Sequence, residues 1–277
     1  MAKQHEIEYA ERMNAEHAVN KPFSDGFCGR NLIRVGTLFT LLPPPPARVL
    51  DLGCGTGWTS LFFARAGYDV VGVDIAPEMI RLADEQRDAA GLSNLTFLVS
   101  DYENLPFRDE FDCAVFFDSL HHAEDERVAV RSAFAALKPG GVCLTDEPGE
   151  GHAHAEGSLA AVAEFGVTEK DMPPAHVVAL GRAAGFTGFT VFPSPTAFSE
   201  RVYVERGAPA ADPFAGIAES VTDPNRGLWK RLWWRCGLAA APSQGRWRTL
   251  VHNLQQLRAN GLVLMQKPAA GAARAAA

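Results

Sequence analysis

The chain has 277 residues, 47% of them hydrophobic, enough apolar mass for one large domain with a smaller appended element. No apolar run reaches the roughly 18 residues that a spanning helix needs, and the opening MAKQHEIEYAERM is charged where a secretory leader would be apolar, so a cytoplasmic protein is expected. The net charge of -7 hides an asymmetry: after Asp223 come nine of the 26 basic residues and none of the 33 acidic ones, leaving +9 there against -16 in residues 1–223. That balance favours an anionic partner, or the two parts packing on each other, and its acidic majority disfavours a polynucleotide. Cys28, Cys54, Cys113, Cys143 and Cys236 form no CxxC pair; they read as reduced, buried thiols, with no zinc site.

In chain order, residues 5–19 have helical composition and "NLIRVGTLFTLL" (31–42) suits a second helix, stopped by the four prolines at 43–46. From 47 onward short apolar runs alternate with amphipathic segments. "ARVLDLG", "DVVGVD", "LTFLVSD", "EFDCAVFFDS" and "VCLTDEP" read as strands. "TGWTSLFFARAG", "APEMIRLADEQRDAAG" and "ERVAVRSAFAALKPGG" read as the helices between them. This alternation predicts βαβ units and a doubly wound α/β sheet. Farther on, "PPAHVVALGRAAG" suits a helix, and "FTGFTVFP" and "NGLVLMQKP" suit strands. Residues 194–258 are too long for a simple connection and carry "LWKRLWWR", so a mostly helical insertion is expected there as a lid. The organisation predicted is thus a helical cap over 1–46, a core over 47–193, the lid over 194–258, and a final strand with a frayed tail over 259–277.

"VLDLGCGTGWTS" (49–60) forms the first strand-to-helix turn, where an open α/β sheet places its ligand crevice. Gly53, Gly55 and Gly57 let the backbone turn tightly and let a ligand approach without a Cβ in the way. The spacing is GxGxG rather than the GxGxxG of a dinucleotide site. Asp51, two residues before the first glycine, would repel a pyrophosphate by roughly 4 kcal/mol at 4 Å and intermediate dielectric, but attract an ammonium or sulfonium. S-adenosylmethionine carries both cations and no phosphate, and is favoured over NAD. Asp74 ends the second strand, where a carboxylate can accept from both ribose hydroxyls. Asp101 ends the third, where an adenine amino group could donate to it, with Tyr102 beside the ring.

Taken together, VLDLGCGTG, VVGVDIAPEM, SDYENLPF, FDCAVFFDSLHH and LKPGGVCLTDEP resemble the ordered motifs of class I S-adenosylmethionine-dependent methyltransferases, of the small stand-alone bacterial type 11/12 group. The resemblance covers about residues 47–150. It implies a Rossmann-like seven-stranded sheet with an antiparallel last strand. It also implies Asp51, Gly53 and Gly55 along the methionine part of the cofactor, Asp74 and Ile75 at the ribose, and Asp101 and Tyr102 at the adenine. Asp118 is similar to the residue whose backbone lies near the methionine moiety.

Methyl transfer to oxygen or nitrogen also requires a proton to leave, so a base near neutral pKa helps. "SLHH" places His121 and His122 at the carboxyl edge of the sheet, and both are candidates. In "DEPGEGHAHAE", Glu147 stands nearest the strand end and is the third catalytic candidate. That stretch could also contact substrate or, with His152 and His154, hold a metal; no metal requirement is expected. The acceptor expected is a small molecule, lipid or glycan intermediate, with an anionic group met by lid cations such as Arg231 and Arg235, and membrane contact at most peripheral. Two rivals are an inactive S-adenosylmethionine-binding regulatory or partner subunit and a nicotinamide-dependent oxidoreductase.

Overall fold

The computed structural model describes residues 2–194 and 259–271. Three helices lead the chain: α1 (Ala2–Arg12), α2 (Ala15–Val19) and α3 (Cys28–Leu41). The helix expected over 5–19 is therefore split. Asn14 accepts a hydrogen bond from the His17 N–H through its side chain and starts a new helix, the habitual use of asparagine at such an end. Leu42 is extended, and the prolines follow it as expected.

The sheet is then built from β1 (Arg48–Leu52), β2 (Asp69–Asp74), β3 (Leu95–Val99), β4 (Phe111–Phe117), β5 (Leu137–Asp146), β6 (Gly188–Pro193) and β7 (Gly261–Gln266). Between them run α4 (Trp58–Arg65), α5 (Pro77–Ala90), α6 (Glu126–Ala136), α7 (Glu156–Phe165) and α8 (Pro174–Ala184). The strand order is β3-β2-β1-β4-β5-β7-β6. β7 runs antiparallel to both β5 and β6, and the pairs among β1 to β5 are parallel. The doubly wound, seven-stranded expectation is met. The lid expected over 194–258, with Arg231 and Arg235, lies outside the described residues apart from Ser194.

Both faces of the sheet are buried. Leu50, Leu52 and Phe116 pack with Ala133, Val177 and Leu180 on one side; Val49, Val70 and Val115 pack with Leu38, Phe63 and Ile80 on the other. Side chains alternate across a strand, so Asp51 shares the face of Val49 and meets α4. The direction of strand addition reverses between β1 and β4, opening a crevice at their carboxyl ends. Helix α7 was not anticipated: of its ten residues only Ser158 is buried, while Leu159 and Val162 are exposed, so no apolar stripe betrays it.

Candidate active site

A cavity of about 550 Å³ occupies that crevice, its rim built by α1, the glycine turn and the loops after β2 to β5. Gly53, Gly55 and Gly57 all have φ between +54° and +79°. A Cβ on Gly53 would lie 2.5 Å from the Ser119 Cβ, and one on Gly55 would meet nothing within 4 Å. Both line the cavity. Gly57 does not: a Cβ there would fall 2.3 Å from Phe97 Cζ, so its role is close packing of α4 on the sheet.

Asp51 requires a correction. It is 1% exposed, and its Oδ2 accepts hydrogen bonds from Thr59 Oγ1 and Ser60 Oγ of α4, each at 2.6 Å. Burial pushes its carboxyl pKa up. It ties β1 to α4 from beneath and does not line the cavity, so it makes no direct contact with a ligand there. The turn itself discriminates between cofactors by another route. Gly53 and Cys54 N–H donate to the Val73 carbonyl, Gly57 N–H donates to that of Cys54, and Gly55 N–H donates to Asp74 Oδ2 at 2.8 Å. Those four donors are spent internally, whereas a pyrophosphate cradle needs such groups free.

Asp74 sits at the end of β2, its Oδ1 also accepting from Ala76 N–H at 2.9 Å; burial raises its pKa, and it lines the cavity beside Ile75. Two backbone donors leave lone pairs over for ribose hydroxyls. Asp101 and Tyr102 follow β3 at the same wall. Asp101 is ion-paired at 2.6 Å with Lys3 of α1, a residue sequence reasoning missed, and its Oδ1 accepts from Glu103 N–H. The Tyr102 hydroxyl donates to the Ser119 carbonyl at 3.0 Å, which fixes the ring in the wall.

Asp118, just past β4, adopts φ +49°, a conformation costly for a side chain-bearing residue. Its carboxylate grips Arg34 of α3 through both oxygens, at 2.5 and 2.7 Å. Arg34 also donates to Asp146 Oδ2 and to the Asp146 carbonyl, and its guanidinium lies 4.3 Å over the Phe117 ring. Burial works against the Asp118 carboxylate, but Arg34 outweighs it and holds the pKa below the usual carboxylate range. Asp146 goes the other way, pushed up by deeper burial.

At the far end of the cavity stand His121 and His122, their rings 4.0 Å apart. His121 Nδ1 lies 2.7 Å from Glu147 Oε2; burial opposes the imidazolium, Glu147 outweighs burial, and the pKa is raised. His122 Nδ1 donates to the Thr168 carbonyl at 2.8 Å; burial, then the neighbouring His121, lower its pKa to about 4. Among the described residues neither Nε2 makes a hydrogen bond. Glu147 corrects another expectation: it accepts from the N–H groups of Ser119, Leu120 and His121 as well as the His121 ring, and does not line the cavity. It holds His121 in place from behind the cavity wall.

Three further residues went unnoticed in the sequence. Glu169 Oε2 lies 2.6 Å from His152 Nε2 and 3.8 Å from His121 Nε2. Glu6 of α1 lines the cavity 3.6 Å from His122, its pKa raised by burial to about 7. Tyr9, also on α1, lines the cavity and packs on Phe165 of α7. His154 is exposed and stands apart from the cavity. Only local chemistry near a strand end signals a site in sequence, and these residues belong to a remote helix and a loop 20 residues beyond β5.

A family model described as a methyltransferase domain matches residues 49–141. The chain is 34% identical over 113 residues to the ubiquinone biosynthesis O-methyltransferase of Xanthomonas axonopodis pv. citri, a match covering 40% of this chain and 47% of that relative. It therefore spans about half the length of the curated relative. Among solved structures, the YcgJ protein of Bacillus subtilis superposes with a TM-score of 0.53 at 19% identity, covering 85% of this chain and 98% of that one. Phosphoethanolamine N-methyltransferase 2 of Haemonchus contortus gives 0.55 at 18% identity, covering 92% and 60%. Those two likenesses concern the fold.

Proposed function

We propose, from the methyltransferase-domain match over residues 49–141, that the chain is a class I S-adenosylmethionine-dependent methyltransferase acting on an oxygen or nitrogen of a small-molecule, lipid or saccharide acceptor. One observation carries the reading. One cavity joins the glycine turn and Asp74 at one end to the Nε2 atoms of His121 and His122, free of hydrogen bonds among the described residues, at the other. The residues suit the cofactor: there is open space at Gly55, the cavity-lining Asp74 carboxylate could accept from ribose hydroxyls, and Asp101 and Tyr102 could flank an adenine. When bound, S-adenosylmethionine supplies an electrophilic methyl on a sulfonium.

The chain's own task is to hold the acceptor atom in line with that methyl and to take its proton. Each histidine has Nδ1 engaged, His121 by Glu147 and His122 by Thr168, so Nε2 carries the lone pair that receives the proton. The proton lost by the acceptor oxygen or nitrogen would pass to one of these Nε2 atoms. Lys21 and Arg30 also line the cavity and make no ion pair among the described residues, which supports an anionic group on the acceptor. Cys28, Cys54, Cys113 and Cys143 are free thiols, in keeping with a cytoplasmic protein.

Incubation with methyl-labelled S-adenosylmethionine and fractionated metabolite extract tests this, read as label transferred to a small molecule. His121→Ala and His122→Ala should each reduce transfer, the true base by about 100-fold or more, with S-adenosylhomocysteine affinity intact. Label retention by the wild type across polar, lipid and saccharide fractions alike would overturn the reading.

A further inference from the structure

We propose that His121, His122 and Glu169 form a site for one divalent transition-metal ion at the histidine end of the cavity. One ligand atom from each of the three lies within 4.8 Å of the other two. Two imidazoles and a carboxylate, with coordination positions left open toward the cavity, suit first-row ions such as iron(II), cobalt(II) or zinc rather than magnesium.

The surroundings of the three side chains point the same way. Imidazoles that bind metal commonly donate through their other nitrogen to a carboxylate or carbonyl, which fixes the ring and its tautomer. His121 does so to Glu147 at 2.7 Å and His122 to the Thr168 carbonyl at 2.8 Å. The His121 side chain is 6% exposed, and among the described residues its Nε2 makes no hydrogen bond; a carboxylate oxygen of Glu169 stands 3.8 Å away. Glu169 is steadied from outside by His152 Nε2 at 2.6 Å.

Charge supplies a separate argument. Glu6, Glu147 and Glu169 are 14%, 1% and 10% exposed, and among the described residues their ion-pair partners are imidazoles alone, with no lysine or arginine. A dication beside three largely buried carboxyl groups that meet no lysine or arginine would supply the counter-charge there. The site departs from the sequence expectation of no metal requirement, which weighed only the cysteines and the 147–156 stretch; its three ligands come from outside both. The ion would occupy the two Nε2 lone pairs that the proposed function assigns to proton transfer, so imidazole takes the acceptor's proton only in the ion-free chain, while ion binding itself is measured without methyl transfer. Only its use rests on the reading above: a coordinated acceptor hydroxyl loses its proton more readily, to solvent rather than to imidazole.

The test uses the full chain, stripped with chelator, dialysed and titrated with cobalt(II) by calorimetry and visible absorption. One equivalent should bind, with d–d bands appearing in step. Glu169→Gln and His122→Gln should weaken binding by 10-fold or more, and Glu147→Gln, acting through His121, by about 10-fold. S-adenosylhomocysteine affinity should stay within about 2-fold, which also shows that the variants are folded and keeps failure here distinct from failure of the methyltransferase reading. In the wild type, where no variant is needed, cobalt(II) should shift or broaden the His121 and His122 ring signals first. No stoichiometric binding, ring signals untouched, or equal binding by the variants (an adventitious ion only) would overturn the site.

Discussion

The Glu147 carboxylate holds the His121 ring by Nδ1 at 2.7 Å while accepting the three consecutive backbone N–H groups of Ser119, Leu120 and His121. One side chain thus shapes the turn after β4 and sets the tautomer of the ring that the turn presents. Glu147→Ala would leave three donors unpaired in a buried position, each worth about 1 kcal/mol or more, so a loss of about 3 kcal/mol or more is expected in urea unfolding. Glu147→Gln keeps a carbonyl oxygen for the backbone but turns an amide toward Nδ1. It should unfold near the wild-type urea concentration and still alter the His121 ring nitrogen shifts. Equal damage from both variants would mean that the carboxylate does no more than brace the turn.

Asp74 and Asp51 offer a matched comparison, two buried aspartates about one glycine turn. Asp74 lines the cavity and receives Gly55 N–H; Asp51 faces Thr59 and Ser60 of α4. Asp74→Ala should weaken S-adenosylmethionine binding by at least about 1.5 kcal/mol, the scale of hydrogen bonds to a charged partner. Asp51→Ala should lower the melting temperature and leave calorimetric affinity of the folded protein close to wild type. The reverse pattern would return Asp51 to the cofactor.

A second pair separates packing from binding within the turn. Gly57→Ala forces a methyl to 2.3 Å from Phe97 Cζ at φ +79°. A cost of about 2 to 4 kcal/mol is expected from overpacking and backbone strain together. Gly55→Ala carries only the strain of φ +54°, with nothing within 4 Å of the new methyl. It should cost about 1 kcal/mol of stability and show its main effect as weaker S-adenosylhomocysteine binding, because Gly55 borders the cavity. Chemical denaturation beside calorimetry on both variants checks this.

The sheet was legible because its strands are short apolar runs cut by glycine and proline, as in "ARVLDLG" and "DVVGVD". The antiparallel return at β7 followed from "GLVLMQKP" through the family resemblance. Asp74, Ile75, Asp101, Tyr102, Asp118, His121 and His122 were legible because strand ends in this topology all open onto one crevice, and each lines the cavity. Asp51 was misread since a residue's position near a turn does not say which face of the strand it occupies; the alternation with Val49 decides that. Arg34, Lys3, Glu6 and Glu169 were invisible for a different reason. Their partners lie 84, 98, 116 and 48 positions away in sequence, and only the folded chain brings them together.

The Arg34–Asp118 pair makes its own pH-dependent contribution. Asp118 is 43% exposed as a side chain, so solvent screening trims the pair, and about 1 kcal/mol is a fair expectation for its charge. Asn occupies left-handed backbone as readily as Asp, so Asp118→Asn removes charge without adding strain at φ +49°. The Asp118 pKa is depressed in the fold, and a depressed carboxylate contributes stability above its unfolded pKa of about 3.9, which is lost as pH falls through the folded value. Asp146, pushed up by burial, takes its proton earlier and leaves Arg34 to Asp118 alone. The stability gap between wild type and Asp118→Asn should therefore persist from pH 7 to about 5 and close below about pH 4. Urea unfolding at pH 7, 5 and 3.5 measures it. A gap that closes already between pH 7 and 5 would show that Asp118 titrates above its ordinary range and that Arg34 does not hold it charged.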